Sequence, residues 1–269
     1  MTLCGDAFGP EHGQQVLLLH GGGQARYSWR ATGAQLGAAG YRAITLDARG
    51  HGDSDWSPDG DYEMDAFTRD LIDVVHALGD RKPAVIGASL GGNAALLSVG
   101  EGMFEASALV LVDIAPRTEK SGSERVKAFL ERYAAGFANL DEVAAAISGY
   151  RPGAKSGANA ASLARNVRLD ADGRLYWHWD PRFIDGRERD VATRHARLAP
   201  AARELTVPTL LIRGASSDVV SEEGVQEFLE LCPHAEYVNI ANADHMVTGD
   251  ANDVFGRATL DFLARSTAR

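Results

Sequence analysis

The sequence predicts an α/β architecture: a doubly wound, mostly parallel sheet with a block of helices inserted between two of its strands. Three observations carry this reading. Apolar runs of strand length alternate with segments of helical period up to about residue 116 and again after residue 205, as in a parallel sheet covered on both faces. The alternation stops between about residues 118 and 204, where helical segments are expected and no buried strand is. The third apolar run, Ala84-Val85-Ile86, passes through Gly87-Ala88-Ser89-Leu90-Gly91-Gly92 directly into a helix-like segment. Strand, sharp turn and helix thus follow one another within residues 84–97.

Taken in order, residues 15–20 (Gln-Val-Leu-Leu-Leu-His) form a continuous apolar run that stops at Gly21-Gly22-Gly23. Such a run suits a strand buried on both faces. A helix is expected over 29–39, closed by Gly40, and a second strand over 41–47, ending in Ala48-Arg49-Gly50-His51-Gly52-Asp53-Ser54. From 64 to 78 the apolar positions 67, 71, 74, 75 and 78 recur at helical spacing, with Gly79 as the stop signal. The strand and helix around Ser89 follow, then a fourth strand over 108–113. Within the break, helices are expected over 124–135, 140–148 and 187–197, with Tyr176-Trp177-His178-Trp179 between the last two. Sheet character returns at 208–214 and 236–240, and an amphipathic helix over 252–264 closes the chain. The expected division is a core of residues 1–116 and 205–269 with a helical cap, 117–204, over the C-terminal edge of the strands.

Bulk properties exclude several function classes. With 45% hydrophobic residues in 269, the chain can bury a large core. A formal net charge of −10 argues against a nucleic-acid partner. Cys4 and Cys232 belong to no C-x-x-C or Cys/His cluster, so neither a zinc nor a redox motif is present and no metal is expected. Two free thiols fit a reducing compartment, and the first residues lack the basic and apolar regions of a signal peptide. The longest apolar runs fall short of a membrane span. The expectation is a cytoplasmic monomer or homodimer acting on a small molecule, without nucleic-acid or membrane partners.

Candidate chemistry sits just after strands, where open parallel sheets carry their sites. Gly-x-Ser-x-Gly at Gly87–Gly91 has the form of a nucleophile elbow, whose strained turn tolerates only small neighbours. Ser89 is the candidate nucleophile, and a serine hydroxyl needs a base. His245, shortly after the last expected strand, is the candidate, because imidazole titrates near neutral pH. Asp218, after the strand ending at Gly214, is the favoured partner for that histidine, and Asp113, after the fourth strand, is its rival. The glycine loop after His20 leaves backbone N–H groups free to meet an oxyanion. Gly22, with Gly23 as second choice, and Leu90 are the expected donors. Trp29, Phe137, Trp177 and Trp179 are candidates for lining a substrate pocket, with a place in the packed interior as the competing reading.

His20-Gly21-Gly22-Gly23, Asp47-Ala48-Arg49-Gly50-His51-Gly52-Asp53-Ser54, Gly87-Ala88-Ser89-Leu90-Gly91 and the order Ser89, Asp218, His245 together resemble the α/β-hydrolase superfamily. Within it the chain looks most like the capped branch of esterases, non-haem haloperoxidases, C–C bond hydrolases and epoxide hydrolases. The resemblance implies a cap, a mostly parallel sheet and no metal or organic cofactor. Members usually begin with two antiparallel strands, but only about fifteen residues precede Val16, room for one strand near 3–8. Epoxide hydrolases and haloalkane dehalogenases carry aspartate at the elbow; Ser89 instead implies an acyl-enzyme and a carbonyl substrate. The expected activity is hydrolysis of a small carboxylic ester. The alternatives are peracid formation from acetate and peroxide, C–C bond cleavage with the same residues, or non-catalytic reception of a small ligand.

Overall fold

The computed structural model describes residues 1–79, 81–133, 135–150, 163–185, 191–241 and 253–267. The apolar runs become one sheet. Strands β1 (Gly5–Phe8), β2 (Gln15–Leu19), β3 (Arg42–Leu46), β4 (Ala84–Ala88), β5 (Ala108–Val112), β8 (Thr209–Gly214) and β9 (Glu236–Ile240) lie in the order 1-3-2-4-5-8-9. All neighbours are parallel except β1, which runs antiparallel to β3 with Gly5 opposite Leu46 and Phe8 opposite Ala43. β1 is the one antiparallel strand of this sheet among the described residues.

The central strands are apolar without alternation because both faces are covered. Odd and even positions go to different layers. Val16, Leu18, Ile86, Val110 and Ile212 pack with Leu36 of helix α1 (Arg30–Ala38) and Phe255, Phe262 and Leu263 of helix α9 (Asp253–Thr267). Val85, Leu109, Leu111 and Leu211 face α3 (Ser89–Gly100), α7 (Val191–Arg203) and α8 (Glu222–Leu231) through Leu96, Leu198 and Phe228. Leu17 and Ile44 complete that side with Leu71 and Val75 of α2 (Met64–Ala77). The helix expected from residue 29 begins with a short 3-10 turn, Arg26–Trp29, before α1.

Between β5 and β8 the chain forms α4 (Lys120–Arg132), α5 (Leu140–Tyr150), a hairpin of β6 (Val167–Leu169) and β7 (Leu175–Trp177), the one-turn α6 (Arg182–Asp185) and α7. The hairpin has no counterpart in the sequence reading, since three-residue strands are too short to display a period. Two ties bind this insertion to the sheet domain. At its start, Glu119 N–H donates to the Val219 carbonyl at 2.8 Å, and a Cβ on Gly122 would stand 2.1 Å from the Asp218 carbonyl oxygen. Farther on, Asp180 N–H donates to the Gly50 carbonyl at 2.8 Å, Tyr62 Oη to Asp180 Oδ2 at 2.6 Å, and Arg182 Nη2 to the Ser57 carbonyl at 2.7 Å.

Cys4 and Cys232 are both free thiols. Among the described residues no helix is long and apolar enough to cross a membrane.

Candidate active site

β4 ends at Ala88 and α3 begins at the next residue, so the whole reversal falls on Ser89, whose φ of +45° lies in the left-handed region. For a residue with a Cβ this costs of order 1–3 kcal/mol, held in place by the surrounding packing. The neighbours must be small. A Cβ on Gly87 would lie 2.6 Å from the Gly91 carbonyl oxygen, and one on Gly91 would lie 2.5 Å from Leu19 Cβ. The glycines of the motif are therefore demanded by space between α3 and the ends of β2 and β4.

The glycine loop after β2 lies against the same point: a Cβ on Gly21 would be 3.3 Å from Ser89 Cβ. Its amides are not equivalent. Gly21 N–H donates to Gln24 Oε1 at 3.0 Å, and Gly23 N–H to His51 Nε2 at 3.1 Å. Gly91 N–H donates to the His20 carbonyl at 3.1 Å. Gly22 N–H and Leu90 N–H have no acceptor among the described residues, the latter because first-turn amides have no carbonyl behind them. The second-choice donor, Gly23, is thus already occupied.

Three buried histidines fix the loops around this point. His20 Nε2 accepts from Ala48 N–H at 2.9 Å while its Nδ1 meets the Gly21 carbonyl at 2.8 Å. His51 Nδ1 meets the Arg49 carbonyl at 2.9 Å, and His178 Nδ1 accepts from Gly52 N–H at 2.8 Å. Burial holds His20 below its ordinary pKa, and burial together with His20 takes His178 down to about 3. Each imidazole serves here as a neutral acceptor for a backbone amide. Beneath them Asp47 binds Arg26 and accepts from Asp53 N–H at 3.0 Å, while Arg49 pairs with both carboxylate oxygens of Asp70 at 2.7 and 2.6 Å.

The two candidate acids occupy different surroundings. Asp113 is fully buried, follows β5 with φ +49°, and its carboxylate accepts from Gly214 N–H at 3.2 Å and Ser217 Oγ at 2.6 Å. The Asp218 side chain is 32% exposed and faces Arg125 Nη2 at 2.9 Å. His245, the expected base, lies outside the described residues.

A cavity of about 240 Å³ opens at Ser89, with Gly22, Asn93, Asp113, Leu130 and Arg194 among its walls. The expected pocket aromatics are not in those walls. Trp29 is completely buried under the sheet at 5.9 Å from the Phe255 ring, so its place is in the core. Trp177 stacks on Trp179 at 5.0 Å, Phe137 meets Trp177 edge-on at 4.8 Å, and all three pack in the interior of the insertion with Leu90 and Leu130. They back the cavity wall and do not form it, because rings this large are stacked on one another. What the sequence reading missed is Arg194. In the sequence it is one arginine among several in a basic stretch, and only the packing of α7 separates it from its solvated neighbours.

A family model described as the α/β hydrolase fold matches residues 15–251. The chain belongs to that family. It is 27% identical over 221 residues to a 3-hydroxybutyrate-oligomer hydrolase of Cupriavidus necator, 77% of this chain and 74% of the relative. It is 29% identical over 250 residues to an esterase of Mycobacterium tuberculosis, 88% of this chain and 78% of the relative. Among solved structures, an E-2-(acetamidomethylene)succinate hydrolase matches with a TM-score of 0.86 at 23% identity, covering 97% of this chain and 94% of that one. At that identity the structural likeness speaks for the fold. The sequence relatives are hydrolases, which supports hydrolase activity in this chain.

Proposed function

We propose that this α/β hydrolase cleaves small carboxylic esters through an acyl-enzyme on Ser89, with His245 as base. The observation that carries the proposal is the strained Ser89 at a cavity that Gly22 also lines, with the amides of Gly22 and of Leu90, the residue after the serine, left without an acceptor among the described residues. In the proposed reaction Ser89 Oγ gives its proton to His245 and attacks the carbonyl carbon. The developing oxyanion is held by Gly22 N–H and Leu90 N–H at the positive end of α3. His245 returns the proton to the departing alcohol, then takes one from water, which releases the acid. The insertion acts as the cap that shapes the acyl site. At about 240 Å³ the cavity is below the roughly 300–1,000 Å³ usual for drug-sized ligands, which favours a small substrate.

For the acid that orients His245 the surroundings favour Asp113 over the expected Asp218. A triad carboxylate works when buried and held by hydrogen bonds. Asp113 meets both conditions, whereas Asp218 is partly exposed and faces an arginine.

The test is hydrolysis of p-nitrophenyl esters from acetate to octanoate by wild type and Ser89→Ala, with and without peroxide. Turnover of the short esters that falls roughly a thousandfold or more in Ser89→Ala is expected. Full turnover in the variant overturns the proposal. Ligand binding without turnover in the wild type would point to a receptor, and a rate that depends on peroxide to peracid formation.

A further inference from the structure

Several arginines of the core and the insertion are paired with carboxylates. Arg49 has Asp70, Arg182 has Asp180, Arg197 has Asp65 and Glu101, and Arg213 has Glu222. Arg194 has none within 4 Å among the described residues, although it lies in the wall of the Ser89 cavity. Its Nη2 donates to Thr118 Oγ1 at 2.5 Å and reaches Ser123 Oγ at 3.5 Å, and its Nε is buried with no acceptor. Burial pushes the guanidinium below its ordinary pKa with nothing to offset it. The carboxylates that share the cavity are engaged elsewhere: Asp113 with Gly214 N–H and Ser217 Oγ, Glu124 with Lys120 at 3.7 Å. A half-buried guanidinium without a counter-charge is unfavourable, and two hydroxyls fix where it points.

We infer that Arg194, steadied by Thr118 and Ser123, is the seat for a carboxylate carried by the substrate, so that the ester hydrolysed at Ser89 is an anionic one. The inference deepens the proposed ester hydrolysis and rests on it for the scissile bond. A carboxylate fits better than a phosphate. The guanidinium fork matches a planar pair of oxygens, and Arg194 is the cation of the cavity wall with no carboxylate within 4 Å among the described residues, since Lys120 and Lys127 each sit beside a glutamate of α4. A monoanion completes that charge. The size of the cavity keeps the carboxylate within a few carbons of the carbonyl.

The experiment compares two pairs of esters that differ in charge: monomethyl glutarate against methyl pentanoate, and acetoxyacetate against 2-methoxyethyl acetate, followed by proton release. The first pair places the anion on the acyl side, the second on the alcohol side. Wild type is expected to prefer the anion in one pair by about tenfold to a hundredfold in kcat/KM, mostly through KM, as for a charge-assisted hydrogen bond. The preference should collapse towards one in Arg194→Gln and survive in part in Arg194→Lys, both checked for cooperative melting. If Arg194→Gln does not melt cooperatively, the loss of most of the preference in Arg194→Lys takes its place. No anionic preference in either pair, or a preference untouched in the folded variants, overturns the inference. If no ester is turned over, the hydrolase reading fails, and calorimetric titration with monomethyl glutarate, a monoanion, decides for the seat alone. Saturable binding lost in Arg194→Gln sustains it, and absence of binding overturns it.

Discussion

Ser89 and Asp113 stand at matching points of neighbouring strands. Ala88 pairs with Val112 at the last register position of β4 and β5, and the next residue on each strand takes a left-handed φ, +45° and +49°. Two adjacent parallel strands thus end in the same strained step and turn both side chains' backbones out over the C-terminal edge of the sheet. Lys82 is the one other non-glycine with positive φ among the described residues. The pairing suggests a division of labour that mutation can separate.

Asp113→Asn is expected to lower kcat on a small ester by about a thousandfold or more, as when a triad acid is neutralised. Asp218→Asn should cost less than about tenfold, because a partly exposed carboxylate beside Arg125 contributes little. Steady-state rates of the two variants at neutral pH check this, and equal losses would sink the assignment of the acid to Asp113.

Gly91→Ala places a methyl group 2.5 Å from Leu19 Cβ and 2.6 Å from the Leu19 carbonyl oxygen. Backbone cannot yield as a flexible side chain can, so a loss of about 1–3 kcal/mol is expected, with the elbow displaced. Thermal melting followed by circular dichroism reads the first effect. A fall in kcat beyond what the residual folded fraction explains reads the second.

The fold and the elbow were legible because both are written in local pattern. Continuous apolar runs identify strands covered on both faces, and small residues around Ser89 identify a turn with no room. The strand expected near residues 3–8 stands at Gly5–Phe8. Other features depend on partners far away in the chain. Trp29 stands a few residues after the glycine loop, yet the 3-10 turn rotates it under the sheet onto Phe255. Trp177 and Trp179 look like pocket lining until their stacking on each other is seen. Arg194 reads as one solvated arginine of a helix until packing brings it to Thr118 across 76 residues.

Stability should fall as the medium is acidified through the histidine range. His178 titrates near 6.5 when unfolded and about 3 when folded, lowered by burial and by His20. Between those values the unfolded chain binds the extra proton, so the stabilisation is full above pH 6.5 and drains away as pH falls towards 3. His20, lowered by burial, acts in the same direction. Urea midpoints measured from pH 7 to pH 4 should drop steeply in wild type. His178→Asn, which keeps an acceptor for Gly52 N–H but no titrating ring, should show a shallower slope.

Tyr62→Phe removes a hydroxyl that donates to buried Asp180 at 2.6 Å and accepts from Ser57 N–H at 3.0 Å. Arg182 remains on the carboxylate, so the expected loss is about 1–3 kcal/mol. A lower denaturant midpoint with the slope unchanged would agree. A midpoint equal to wild type would show that the tie at Asp180 does not hold the insertion down.

That tie joins residues far apart in the chain: Tyr62 and Asp180 are separated by 118 positions, Gly52 and His178 by 126. Synthesis runs from the N-terminus, so the loop carrying Arg49, Gly50, His51 and Gly52 leaves the ribosome long before the segment that completes it. Closing so long a loop is slow, since its entropy must be lost before any contact repays it. Strands β1 to β5 can pair in the meantime, but β8, whose Thr209 pairs with Leu109, emerges only after the insertion, so the seam between β5 and β8 and the loop contacts at His178 and Asp180 are both completed late.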